Sequence, residues 1–114
     1  MTKLIESLQT LKNYRFTLQS YKLNHSELEL SAINPDDPSL RFKIGFMAVY
    51  YFQLPISWIG SFKIGSDSEQ EAIIRKTGLS LRESSSGVKL YKSLDGEVLI
   101  LGALGLITPG DSAY

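Results

Sequence analysis

The stretch from residue 40 to residue 65 restricts the possible folds of this chain more than any other feature. Every second position in it, from Phe42 to Ile64, is uncharged, and nearly all of these positions carry large apolar side chains. The positions between them are mostly polar towards both ends of the stretch and are consecutively apolar around Met47 to Tyr51. Side chains of a strand alternate between its two faces, so this period of two predicts β structure with one face against a core.

This stretch is too long to form one straight strand. Residues 41–54 would span roughly 45 Å at about 3.3 Å each, which is more than a compact domain of this length accommodates. We therefore predict a bend or bulge near Gly45, and a break around Pro55, which has no N–H to donate to a ladder. Two strands are expected, 41–53 and 57–64, either paired as a hairpin or with one of them turning a corner of the sheet.

The chain begins with a pattern that is typical of an amphipathic helix. Residues 3–12 carry apolar side chains at helical spacing, and Thr2 stands at the N-cap position. Residues 13–22 fit either a continuation of this helix or a strand. We prefer a short helix followed by a strand, because Tyr, Phe and Thr are frequent in these positions and favour strands.

A second helix is predicted over 68–77. Ser68 and Glu71 have the spacing of a capping box, and Gly78 stands where a helix commonly ends in a left-handed conformation. Like the N-terminal helix, it carries apolar side chains on one side only, so we expect both helices to pack on the sheet.

Further strands are predicted for 26–33, 79–82, 88–94 and 97–107. Asp95-Gly96 joins the last two and is a dipeptide favoured in type I′ hairpin turns. Residues 97–107 are apolar on both faces, so we expect that strand to be covered on both sides. The sequence thus predicts an α+β fold in a single domain, 1–114, with a mainly antiparallel sheet of about five to seven strands and two helices packed on it.

Composition excludes several classes of function. Twelve basic and twelve acidic residues cancel, which argues against a nucleic-acid partner because phosphate binding usually needs a basic excess. The absence of cysteine excludes disulfides, thiolate metal sites and cysteine nucleophiles. The longest uncharged run, 44–62, contains Gln53 and Pro55 and has a period of two, unlike a membrane helix. With no signal-peptide core at the N-terminus, the expectation is a cytoplasmic protein that does not bind membranes.

Residues capable of catalysis or metal binding are sparse. His25 is the only histidine and lies in a predicted turn, where a solvated surface role is the commoner outcome. Asp36 and Asp37 stand in a proline-flanked turn without a flanking ligand pattern for a cation. Residues 60–66 and 102–105 lack the glycine spacing of phosphate- or dinucleotide-binding loops. The sequence therefore predicts no catalytic residue, no metal site and no cofactor.

One group of residues is a candidate binding site: Tyr50, Tyr51, Phe52 and Trp58. Aromatic side chains on a sheet can anchor a protein interface or line a ligand cavity, although packing into the core is the commoner outcome. Together with strand edges that can pair, this group favours a small non-enzymatic module that binds a protein partner or a second copy of itself.

Two alternatives stay open. The first is a binder of a small or lipid-like molecule, in a cavity that Phe46 would line together with Tyr50, Phe52 and Trp58. The second is a small hydrolase in which His25 acts with Asp36 or Asp37, which requires the two turns to converge in one cleft.

Overall fold

The computed structural model describes residues 2–78 and 87–110. Within these residues, one antiparallel sheet of 7 strands and two α-helices form the α+β fold that the sequence predicts. Residues 13–22 contain a strand, and the predicted strand 79–82 lies outside the described residues. In chain order the elements are α1 (Thr2–Thr10), β1 (Tyr14–Lys22), a 3-10 turn (Leu23–His25), β2 (Glu27–Ile33), β3 (Arg41–Gln53), β4 (Ser57–Gly60), β5 (Phe62–Ile64), α2 (Asp67–Thr77), β6 (Lys89–Ser93) and β7 (Leu99–Pro109).

The order of the strands shows that the sheet is curled. The order is β4-β1-β2-β3-β7-β6-β5. β4 and β5 are separated in the chain by Ser61 alone, yet they form the two opposite edges of the sheet. The sheet must therefore curl until its edges approach each other, and Ser61 is the corner between them. The predicted strand 57–64 is thus divided into two strands that meet at a corner, and no hairpin joins it to β3.

Two irregularities interrupt the pairing of β3 with β7. At the first, Gly45 and Phe46 face Leu106 and Leu104, so the extra residue is Gly105 of β7. The sequence predicted a bend or bulge near Gly45, and the bulge lies in the neighbouring strand. The second lies within 47–51, where Ala48 has a φ of 48°. Because a left-handed residue interrupts the alternation of side chains, Val49 belongs to the main core and Tyr50 lies on the other face of the sheet. The sequence predicted Tyr50 on the buried face, and this irregularity corrects that prediction.

The main core lies between α1 and the inner face of the curled sheet. On α1, Leu8 is completely buried, and the helix packs on β7 and β5. A second cluster on the opposite face holds Leu90 and Leu101, with Ile73 of α2 packed against it. Ile100 belongs to the main core and its neighbour Leu101 to the second cluster, so β7 is covered on both sides, as its sequence predicts.

Helix α2 begins at Asp67, one residue before the predicted start at 68, and its capping box begins two residues earlier than predicted. The Ser66 hydroxyl, not that of Ser68, accepts a hydrogen bond of 3.2 Å from the backbone N–H of Glu69. In return, the Glu69 carboxylate accepts a bond of 3.0 Å from the N–H of Ser66, which completes a capping box. At the other end, Gly78 stops the helix with a φ of 70°, as predicted.

The turn between β6 and β7 is not the predicted type I′ turn. A type I′ turn needs positive φ at both central residues, and of Asp95 and Gly96 only Gly96 has one, 80°. Instead, the Asp95 carboxylate accepts hydrogen bonds from the Ser93 hydroxyl and from the Glu97 N–H. These bonds close a longer turn that begins after Ser93 and ends before Leu99.

A first testable prediction concerns the cap of α2. The ammonium of Lys92 bonds to the Glu69 carboxylate, and together with the Ser66 N–H it lowers the pKa of Glu69 from 4.5 to about 2. Since the native pKa is the lower one, this contribution to stability is present above about pH 4.5 and is lost as the pH falls towards 2. We expect Glu69→Gln to flatten the decline of stability across this range, measured by urea unfolding. Glu71→Gln, on the same helix, should keep the wild-type slope, and parallel slopes for all three proteins would contradict the prediction.

Candidate functional site

The four aromatic residues that the sequence proposes as a site lie on two sides of the sheet. Tyr50 and Tyr51 pack against the second cluster, beside α2. Phe52 and Trp58 pack against the main core, and the ring of Phe52 contacts that of Tyr21 with centroids 4.8 Å apart. The structure therefore brings Tyr50 and Tyr51 together and separates them from the other two.

The aromatic interior around Phe46 is filled by protein. The Phe62 ring lies 6.4 Å from the ring of Phe46 and 6.1 Å from that of Trp58, between centroids. Phe46 also meets Tyr91 at 5.2 Å. These contacts are those of a packed core, and the cavities that Phe46 and Trp58 border are two different ones.

Trp58 differs from the other three because one of its polar atoms lacks a partner. The indole stacks on Phe16 with centroids 5.4 Å apart. Its Nε1 is buried and has no hydrogen-bond acceptor among the described residues. A buried tryptophan N–H usually has an acceptor. The unpaired Nε1 therefore makes the surroundings of Trp58 the candidate binding site.

A cavity of about 260 Å³ lies beside Trp58, between β4 and the turn that joins β6 to β7. We call this gap the seam. Asn13, Pro55 and residues 58–61 line one wall, and residues 93–95, 97 and 98 line the other. Among the described strands β4 pairs with β1 alone, so its second edge has no partner strand in the described parts of the chain.

The backbone of β4 presents hydrogen-bonding groups at this second edge. The C=O of Ile56 accepts a bond of 2.8 Å from the N–H of Leu18 in β1. Backbone groups of successive residues point to alternate edges of a strand. The backbone N–H and C=O groups of Ile56 and Trp58 therefore point towards β1, and those of Ser57 and Ile59 point away from it. An edge of this kind is a template for pairing with another chain.

The seam has exposed apolar side chains around it, and the charged side chains in its lining are acidic. Ile59 and Leu94, which line it, are 53% and 64% exposed, and Ile56, just before β4, is 76% exposed. Both charged residues of the lining, Asp95 and Glu97, are acidic. The Ser93 hydroxyl and the Glu97 N–H hold the pKa of Asp95 below its ordinary value, so its charge persists at neutral pH.

The structure separates the groups of the proposed hydrolase. His25 is exposed in the turn before β2, and Asp36 and Asp37 are exposed in the turn after it. The 7 residues of β2 span roughly 20 Å at about 3.3 Å each, which leaves His25 out of reach of either carboxylate. Across residues 2–78 and 87–110, no three histidine, aspartate or glutamate side chains are grouped so that they could hold a metal ion.

Comparisons with protein-family models, with curated proteins and with solved structures found no match. Function must therefore be argued from the geometry of the site. None of the helices in the described residues has both the length and the apolar character needed to cross a membrane.

Sequence reasoning selected Trp58 but missed the rest of the seam, including Ile59, Leu94, Asp95 and Glu97. The seam is formed by the edge of the sheet and a turn that are more than thirty residues apart in the chain, so no local pattern places them together. Ile59 could have indicated this site from the sequence, because it is a large apolar side chain among the otherwise polar odd-numbered positions of 57–63.

Proposed function

We propose that the protein is a non-enzymatic binding module that takes an extended segment of a partner protein along the second edge of β4. The observation that supports this most directly is the edge itself: Ser57 and Ile59 have no partner strand within the described residues. In strand addition, main-chain hydrogen bonds to such an edge supply affinity, and alternate side chains of the added segment supply specificity.

The surroundings of the edge define the chemistry of the partner segment. Exposed Ile59 and Leu94 favour apolar side chains, because their contact removes apolar surface from water. Asp95 and Glu97, with no basic residue in the same lining, favour a lysine or arginine on the segment and disfavour an acidic residue. A carbonyl oxygen of the segment is also the type of acceptor that Trp58 Nε1 lacks. The proposed partner segment is therefore extended, apolar and basic.

The cellular setting of this function stays a prediction from the sequence. The absence of cysteine is compatible with a reducing compartment, and a cytoplasmic location is what we propose.

The proposal is tested by selecting displayed peptides of about ten residues, the length of a long strand, on the wild-type protein. We expect the enriched peptides to alternate apolar residues with Lys or Arg. Ile59→Pro removes an N–H that points away from β1 and leaves the β1–β4 bonds in place, since proline is tolerated at such edge positions. It should lower peptide affinity by about tenfold or more, because a buried backbone group of the peptide loses its partner. Ile59→Thr, which keeps the N–H and the branched shape, is the matched control for the backbone effect and should weaken binding less.

A double variant, Asp95→Asn with Glu97→Gln, tests the charge preference separately. It should weaken binding of the basic peptides and lessen the salt dependence of their affinity. Equal affinity of the selected peptides for wild type and Ile59→Pro would contradict strand addition. A wild-type dimer that becomes monomeric in Ile59→Pro, observed by light scattering, would instead identify the occupant of the edge as a second copy of this chain.

A further inference from the structure

A second cavity, of about 440 Å³, lies between α1 and strands β3, β6 and β7. This volume is within the range of about 300–1,000 Å³ that is usual for small-molecule sites. The helix contributes Leu4 and Ile5 to its wall, and the strands contribute Met47, Tyr91 and Leu104. The cavity shares no lining residue with the seam.

Apart from Lys89, the wall of this cavity is uncharged and mostly apolar. Tyr91 is 1% exposed, and burial raises the pKa of its hydroxyl, which is hydrogen-bonded to the backbone of Leu104. The phenol is therefore uncharged at neutral pH. Met47 lies in β3, which is on the other side of β7 from β6. A methionine side chain adapts to ligands of irregular shape.

Lys89 is the charged residue of the lining. It lies at the start of β6, its side chain is exposed, and within the described parts of the chain it forms no ion pair. An apolar cavity with a single cation where the wall meets solvent is complementary to a molecule that is apolar at one end and anionic at the other.

We infer that the cavity binds a single-chain amphiphile whose apolar tail lies against α1 and whose anionic head reaches the ammonium of Lys89. If each heavy atom needs about the space of one water in the liquid, about 30 Å³, the cavity holds on the order of ten to fifteen heavy atoms. A medium-chain carboxylate such as decanoate has this size. The inference is independent of strand addition at β4, because the two sites use different residues.

Isothermal titration with decanoate, below the concentration at which it forms micelles, tests the inference. Decanol has the same chain without the charge and is the matched ligand. Decanoate should bind the wild-type protein about threefold more tightly than decanol, as is usual for an ion pair that is partly exposed to water. Lys89→Met keeps the length of the side chain and removes the charge, so it should abolish this preference while decanol binds as before.

Variants that fill the cavity test its location. Ala103, a small residue of the lining, is replaced by phenylalanine, which should weaken both ligands about tenfold or more by occupying the space of the tail. Met47→Trp fills the cavity from another wall and should weaken both ligands in the same way. It replaces Ala103→Phe in this test if that variant does not fold. Ile59→Pro at the seam should bind both ligands with wild-type affinity.

Three results would overturn the inference. They are the absence of binding by decanoate, wild-type affinity in a folded cavity-filling variant, and an unchanged preference for decanoate in Lys89→Met. The seam proposal would survive each of these results, since peptide binding is measured without decanoate.

Discussion

Replacement of Phe16 by alanine is expected to lower the free energy of unfolding by about 3–5 kcal/mol, the usual effect of truncating a buried phenylalanine. Phe16 is completely buried, and its ring contacts Trp58 at 5.4 Å and Phe62 at 5.0 Å, between centroids. Phe16 belongs to β1, Trp58 to β4 and Phe62 to β5. One ring thus connects both edges of the curled sheet to a strand inside it. Proteins of this length are stable by about 5–15 kcal/mol, so the loss would be a large share of the total.

Urea unfolding followed by Trp58 fluorescence measures this effect directly, since Trp58 is the single tryptophan and stacks on the ring that is removed. The native emission of Phe16→Ala should also shift to longer wavelength, because water gains access to the indole. Leu23→Ala is the control: Leu23 is 76% exposed, and its truncation should change stability by about 0.5 kcal/mol or less. A loss in Phe16→Ala of similar size to that of the control would show that closure of the sheet does not depend on this ring.

Features that depend on neighbouring residues were predictable from the sequence. The end of β3 before Pro55 and the stop of α2 at Gly78 follow from backbone chemistry at single residues. The irregularity at Gly45 was predicted from the length of the stretch, although its extra residue belongs to β7. The strand over residues 14–22 was predictable because its side chains favour strands more than they favour the extension of α1.

Features that depend on distant pairing were not predictable. The even positions from 58 to 64 stay uncharged through Ser61, although the chain passes there from one edge of the sheet to the other. The same alternation continues through Ala48, where a positive φ reverses the faces. A period of two reports which residues are apolar, and it does not report which strand lies beside them. For this reason Trp58 was recognised as a candidate and the seam beside it was not.

The two proposed sites follow from the same curl. Because β4 and β5 are edges that approach each other without pairing, the seam remains where an ordinary flat sheet would have two distant edges. The curl also creates the inner face on which α1 packs, and the cavity lined by Leu4 and Ile5 lies between this helix and the strands. Strand addition uses backbone groups at an edge, and amphiphile binding uses an apolar wall, so each can fail without the other.

Replacement of Gly102 by valine is expected to destabilise the protein by about 3 kcal/mol, the upper end of what overpacking of a core usually causes. Valine favours strands, so in most strands this change would be neutral or favourable. Here a Cβ at Gly102 would lie 3.0 Å from Val49 Cγ2, 3.1 Å from Val49 Cα and 3.2 Å from the carbonyl oxygen of Met47. The last two atoms belong to the backbone of β3 beside Ala48, where the extra residues of that strand cross over Gly102. A side chain at this position is therefore disfavoured, because a Cβ would lie closer to the backbone of β3 than nearly all Cβ contacts do, and that backbone would have to shift.

The size of the substituent should determine the size of the effect. Gly102→Ala adds the Cβ alone and should lower the free energy of unfolding by about 1 kcal/mol, and Gly102→Val by more. Gly87→Ala is the matched control, because the nearest atom to its Cβ would be 3.9 Å away, an ordinary contact, and its effect should stay within about 0.5 kcal/mol. Urea unfolding of the three variants gives the comparison. A stabilised Gly102→Val would mean that β3 can straighten at Ala48 without loss, and that the irregularity, with the separation of Tyr50 from Phe52, is not required by the packing of β7.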